Sequence, residues 1–240
     1  MHTPLNGLAA VLRPALGAQW HLLHPDIRAR FTLAPDEHRQ SFTGMMDVVD
    51  RSFMGWLVAK LIAFVRILPA TRARNVPFEF NLRPADSNNL STGWIKERLY
   101  RFANGIFEFR SVMNIADNGE LIEQFPFGLG MKIKLSAEGV NGDTLYFRDD
   151  GYFLKLSFAK FPHKTWRMPM PRVLTVGRFV LAHKNIDRER FTVEIALDHP
   201  LLGRLFHQYG EFREQPPANA AVATVAHRHV IHSDKIIPQA

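Results

Sequence analysis

The run Gly105-Ile106-Phe107-Glu108-Phe109-Arg110-Ser111 sets chemically capable side chains at a spacing of two. On an extended chain Phe107, Phe109, Ser111 and Met113 share one face, while Glu108 and Arg110 share the other. In the preceding extended run, Arg98 and Tyr100 fall on the same face as Trp94. Two arrangements satisfy this spacing. One is an aromatic-lined cavity holding Arg98 with one or two carboxylates, for which Trp94, Arg98, Tyr100, Glu108, Arg110, Glu123 and Tyr209 are the ligand-binding candidates. The other is an ion ladder across neighbouring strands on a solvated face. In an enzyme acting on a hydrophobic anionic substrate, Arg98 or Arg110 would anchor the anion, Glu123 or Glu108 would be the base and Tyr209 the proton donor.

Other constellations carry less. No G-x-S-x-G elbow surrounds Ser111, so nothing supports it as a nucleophile. His21 and His24 stand three apart with Asp26 close by, a spacing open to two metal ligands, but no third ligand follows; a capping role for His24-Pro25-Asp26 is the simpler reading. His227, His229 and His232 lie in a stretch that reads as a tail beyond the domain. With no cysteine there is no disulfide, thiolate metal site or Cys nucleophile, and no G-x-G-x-x-G follows a strand. Neither a metal nor a cofactor is expected.

Charge is distributed unevenly. Residues 151–186 contain Lys155, Lys160, Lys164, Arg167, Arg172, Arg178 and Lys184 and no Asp or Glu, so this segment alone accounts for the net charge of +7. Phe153, Phe158, Phe161, Trp166 and Phe179 are interleaved with these bases. Such a mixture can face phosphates, above all anionic lipid headgroups; nucleic acid is not the expected partner. Its plainer reading is a strand pattern with aromatics inward and bases outward.

These residues need a scaffold. A chain of 240 residues that is 46% hydrophobic and 22% charged is globular and long enough for one large domain or two small ones. No apolar run reaches the ~18 residues of a membrane-spanning helix. Met1 to Leu16 lacks the cationic start and long apolar core of an export signal, which together with the missing cysteines leads to a cytoplasmic expectation, with peripheral membrane contact as the variant.

The first thirty residues read as short helices: Leu8, Val11 and Leu12 line one side of the first, and Trp20, Leu23 and Ile27 mark the second, with Pro25 breaking or restarting a turn. From Arg39 the period becomes two, with Phe42, Gly44, Met46 and Val48 on one face. Ser52 caps a helix expected over Phe53–Leu68, in which Gly55, Ala59 and Ala63 form a smooth stripe for close packing and Pro69 is the stop.

Short strands then follow to Phe212, among them Trp94–Phe102, Ile106–Asn114, Thr144–Arg148, Tyr152–Ala159 and Leu174–Lys184. They are punctuated by Asn118-Gly119, Asn141-Gly142 and Asp150-Gly151, which favour tight antiparallel hairpins. About ten strands in succession are too many for a flat sheet with two bare edges. The expected fold is α+β, mainly β: a strongly curved antiparallel meander, as barrel, half-barrel or wrapped sheet, with N-terminal helices packed on it. One domain is expected over residues 1–213, with a helical part at 4–68 and the meander at 75–213; residues 214–240 are expected to be a flexible tail.

Several short motifs in order carry a resemblance. They are Leu16-Gly17, Leu23-His24-Pro25, Gly44, Leu68-Pro69, Trp94, Arg98, Arg101-Phe102, Gly105, Arg110-Ser111, Leu121-Ile122-Glu123, Met168-Pro169-Met170-Pro171, Arg190-Phe191, Pro200-Leu201-Leu202-Gly203 and Tyr209-Gly210. Over residues 16–213 the chain resembles the bacterial family named domain of unknown function 4166. Members of that family occur alone or behind a saccharopine-dehydrogenase-like NAD-binding domain, so the resemblance implies a functional link to an NAD-binding oxidoreductase and supplies no established activity to carry over.

The leading expectation is a binding module for an apolar or amphipathic small molecule such as a lipid, because curved sheets capped by helices leave cavities and Phe-rich walls suit apolar ligands. The alternatives are the enzyme described above, and a membrane-surface or interaction protein that uses residues 151–186.

Overall fold

The computed structural model describes residues 7–33, 39–86, 93–157 and 165–215. Its strands are β1 (Gln40–Arg51), β2 (Ala73–Pro84), β3 (Trp94–Phe102), β4 (Gly105–Ile115), β5 (Leu121–Gln124), β6 (Leu129–Glu138), β7 (Thr144–Ser157), β8 (Thr165–Met170), β9 (Arg178–Asn185), β10 (Arg190–His199) and β11 (Gly203–Gln215). All pairings are antiparallel, in the order β6-β5-β4-β3-β2-β1-β11-β10-β9-β7, and β6 also pairs with β7. The meander therefore closes into a ten-stranded barrel, the closed member of the expected set. β8 is an eleventh strand laid on the second half of β7.

Alternation decides which residues face inward. Along β3, Trp94, Lys96, Arg98, Tyr100 and Phe102 are buried while Arg101 is exposed. On the outer face the bases and acids pair with one another, as in Arg101–Glu79 at 2.7 Å and Arg83–Glu97 at 3.3 Å. A charged exterior around an apolar interior is the reverse of a membrane-spanning barrel.

The two ends are closed differently. Helix α1 (Ala9–Leu16), a 3-10 turn and helix α2 (Pro25–Arg30) fill one end, burying Leu8, Val11, Leu12, Trp20, Leu23 and Ile27. Arg30 bolts this plug in place. Its guanidinium donates to Asn185 Oδ1 at 2.9 Å and to the Asp187 carbonyl at 2.9 Å, meets His183 Nε2 at 3.1 Å, and stacks on Phe191 at 4.6 Å. Helix α3 (Phe53–Leu61) lies at the other end, which we call the rim.

Four expectations change. The α3 helix ends at Leu61 and not Leu68: after two further turns Arg66 takes a positive φ of 53°, and the chain folds back so that Ile67 and Leu68 cover the barrel mouth. Gly55 and Ala59 are buried as the stripe requires, but Ala63 lies beyond the helix and is exposed. The two strands expected on either side of Asp149-Asp150-Gly151 are one strand, β7, kinked there. Its first half pairs with β9 and its second with β8, and Phe179 N donates to Asp149 Oδ1 at 2.7 Å. A bulge at Asp47 switches the parity of β1, so Val49 points inward in place of Val48.

The helical part expected over 4–68 contains β1, which is integral to the barrel because it pairs with both β2 and β11. The tail residues 216–240, including all three of its histidines, lie outside the described residues.

Candidate functional site

The barrel interior holds an ionic cluster in a mostly apolar lining. Lys96 and Arg98 alternate inward on β3, Ser111 faces them from β4 and Glu123 from β5, and all four are buried. Lys96 Nζ donates to Glu123 Oε2 at 2.9 Å and Arg98 Nη2 to Glu123 Oε1 at 3.1 Å. Arg98 Nη1 donates to Ser111 Oγ at 3.0 Å, and that hydroxyl in turn donates a hydrogen bond to Glu123 Oε1. The Arg98 guanidinium is also sandwiched by Phe109 and Phe80, at 4.7 and 5.4 Å from the ring centroids.

One carboxylate thus faces two cations. Burial by itself would raise the pKa of Glu123, but Lys96 and Arg98, with the hydrogen bonds they and Ser111 donate, hold it down at about 2. Lys96 moves the opposite way for a base. Burial and the neighbouring Arg98 outweigh the share of Glu123 that it receives, and its ammonium is brought down to about 8. The cluster has an unmet demand for negative charge.

Two chambers meet at this cluster. The outer chamber, of about 80 Å³, lies beneath Leu68 at the rim and is lined by Tyr100, Glu123, Phe125, Tyr152 and Phe179 among others. The inner chamber, of about 70 Å³, lies under the plug against Phe42, Lys96, His183, Phe191 and Phe212. Arg98, Leu181, Ile195 and Gln208 border both.

Tyr100 donates to Gln208 Oε1 at 2.8 Å, and burial pushes its phenol up to about 12. The Tyr152 hydroxyl is buried and has no hydrogen-bond partner among the described residues. Burial, with Asp149 nearby, keeps that phenol protonated far above its ordinary range. His183, on the inner chamber wall, is buried and faces Arg30, so its pKa lies well below the ordinary value and its neutral ring accepts through Nε2.

Of the residues singled out in the sequence, the structure brings together Arg98, Tyr100 and Glu123. Trp94 is inward but fully buried in the core, its Nε1 without a hydrogen-bond partner among the described residues, and borders neither chamber. Glu108, Arg110 and Tyr209 are corrections: their strand parity puts them on the outer face. Glu108 is ion-paired to Arg110, Arg110 reaches Glu97 at 3.5 Å, and Tyr209 is exposed. Of the groups in the enzyme reading, Arg98 and Glu123 therefore lie together in the lumen, whereas Glu108, Arg110 and the proton donor Tyr209 do not join them.

His24 caps α2, accepting from Asp26 N at 3.3 Å, and no cluster of three metal-ligating side chains occurs among the described residues. Lys96 and Gln208 were missed. Lys96 shares the parity of Arg98 and was legible from it, whereas Gln208 is brought in by a strand 108 positions away from Tyr100.

Of the seven bases assigned to an anionic surface, Lys155, Arg167, Arg172 and Arg178 lie at or near the rim. Lys184 is a correction: it sits near the end of β9, beside the plug. Lys160 and Lys164 lie outside the described residues.

Barrel, plug and interior cluster define a closed antiparallel β-barrel with a polar centre in an apolar lumen. The chain belongs to the family described as domain of unknown function 4166, whose model matches residues 23–212. A relative, the uncharacterized protein YndH of Bacillus subtilis (strain 168), is 26% identical over 199 residues, covering 82% of this chain and 93% of its own. Among solved structures, the crystal structure of Rv2717c from M. tuberculosis is similar at a TM-score of 0.36 and 12% identity, over 81% of this chain and 99% of that one. No helix among the described residues is long and apolar enough to cross a membrane.

Proposed function

We propose that the barrel is a binding module for an amphipathic small molecule with an anionic head and a slender apolar tail, a fatty-acid-like carboxylate being the simplest case. The observation that carries this reading is the pairing of two buried cations with one buried carboxylate at the junction of two apolar chambers. A ligand carboxylate beside Lys96 and Arg98 would meet the excess positive charge through charge-assisted hydrogen bonds. The free hydroxyl of Tyr152 and the amide of Gln208 are additional polar contacts on the same walls.

Size supports a thin ligand. Each chamber is small, about 70–80 Å³, which suits part of a flexible chain better than a rigid fused-ring system.

The test is competition of a long-chain fatty acid and its matching fatty alcohol against a fluorescent polyene acid. The acid should bind about tenfold more tightly than the alcohol. Equal affinities would remove the role of the cluster, and absence of binding by either would overturn the reading.

A further inference from the structure

The rim gathers two features that the sequence keeps apart. α3 is apolar on the side turned away from the barrel: Phe53, Leu57 and Leu61 are 71, 37 and 68% exposed, and Phe64 just beyond is 65% exposed, while Gly55 and Ala59 on the opposite side are buried. A helix on a water-facing surface ordinarily has the opposite polarity. Across the mouth, the turn between β5 and β6 raises Phe127, 70% exposed, until its ring meets that of Phe64 edge to face at 5.4 Å. Leu174, before β9, and Leu201, in the turn from β10 to β11, are exposed at the same end. Exposed apolar side chains around one opening mark a contact surface.

Charge selects the partner. Residues 51–74, which carry α3, contain Arg51, Lys60, Arg66, Arg72 and Arg74 and no Asp or Glu. The acid-free segment 151–186 brings Lys155, Arg167, Arg172 and Arg178 to the same end. Lys60, Arg66 and Arg178 form no ion pair among the described residues. Both ends also carry acid–base pairs, Glu120–Lys132, Glu138–Arg148 and Asp187–Arg190 beside the plug and Asp50–Arg72, Asp149–Arg172 and Asp198–Arg204 toward the rim. The rim is therefore marked by Lys60, Arg66 and Arg178, unpaired among the described residues, beside exposed apolar side chains.

We propose that the rim docks on an anionic lipid bilayer, with α3, Phe64 and Phe127 entering the headgroup region and Lys60, Arg66 and Arg178 facing lipid phosphates. Apolar insertion and attraction to anionic lipid act together in such a contact, each basic residue near the surface adding to the affinity. The inference rests on the rim alone and stands whether or not the interior takes a fatty acid. If it does, the outer chamber lies behind Ile67 and Leu68 at the end turned toward the surface from which such a molecule would come.

The experiment is co-sedimentation with vesicles of pure phosphatidylcholine or of phosphatidylcholine with phosphatidylglycerol, at low and high salt. The full chain should bind the anionic vesicles about tenfold better than the neutral ones, and should lose most of that margin at high salt. Lys60→Glu with Arg66→Glu should abolish the preference. Leu61→Ser with Phe64→Ser should weaken binding at both salt concentrations. All four positions are exposed, so thermal unfolding and fatty-acid competition should stay at wild-type values and separate this proposal from the interior reading. Equal binding to both vesicles, or none, would overturn it. So would concentration-dependent dimerisation in sedimentation velocity that Leu61→Ser with Phe64→Ser abolishes, since the rim would then be covered by a second copy.

Discussion

Tyr100 on β3 and Gln208 on β11 join across the barrel interior through a hydrogen bond of 2.8 Å, although β2 and β1 separate their strands in the wall. This chord runs beside Arg98, at the boundary of the two chambers, and both partners are buried.

Tyr100→Phe should therefore lower stability by roughly 1–3 kcal/mol, because the Gln208 oxygen loses its donor in a place with little access to water. Adding Gln208→Leu should recover much of the loss by removing the stranded polar group. Urea unfolding of the two single variants and the double variant checks this, and additive losses would show that the two side chains are not coupled.

Gly55 rests on the backbone of Leu205: a Cβ there would stand 1.9 Å from its carbonyl oxygen, which the adjoining Ser52 N–H already engages at 3.2 Å. Gly55→Ala gains about 1 kcal/mol in helix propensity but must push α3 off β11. A net destabilisation of roughly 1–3 kcal/mol is expected, read as a lower urea midpoint. A stabilised variant would mean that α3 is loosely docked.

Lys96→Met should be neutral or stabilising, since it removes a costly buried ammonium and leaves Arg98 and Glu123 as a matched pair. The same substitution should reduce fatty-acid affinity about tenfold while leaving fatty-alcohol affinity unchanged. Loss of both affinities together would instead indicate a collapsed cavity.

The pH dependence has two limbs of the same sign. Glu123, held at about 2 against an ordinary 4.5, contributes stability that is complete above 4.5 and lost as pH falls toward 2. Lys96, at about 8 against 10.5, imposes a penalty that is complete below 8 and relieved as pH rises from 8 to 10.5. Other carboxylates, such as Glu120 and Glu138, also titrate low, so the acid limb is shared. The alkaline limb is the diagnostic one: wild-type stability should gain relative to Lys96→Met between pH 8 and 10.5, and parallel profiles would refute the assignment.

How far the sequence could be read depended on whether the signal was local. β3 occurs over Trp94–Phe102 as its alternation indicates, because strand parity is a property of neighbouring residues. The same parity contained the cluster, since Lys96 sits between Trp94 and Arg98 on one face, and it excluded Glu108 and Arg110 from the lumen. What stayed hidden was set by distant partners. Asp149-Asp150-Gly151 looks like a hairpin turn but is a kink, because Phe179 and Arg172, far along the chain, satisfy Asp149 there. β8 falls where no strand is expected from the sequence, and its Pro169 is tolerated because this strand pairs with β7 alone.

The seam between β1 and β11 pairs Ser41 with Gln215, and Phe42, Met46 and Val49 on β1 are almost wholly buried. During synthesis those side chains leave the ribosome long before residue 215 exists, so β1 cannot gain its second neighbour until nearly the whole barrel has been translated. Closure is then a late, long-range event of high contact order, which makes folding slow and leaves the nascent amino-terminal strand sticky in the interval.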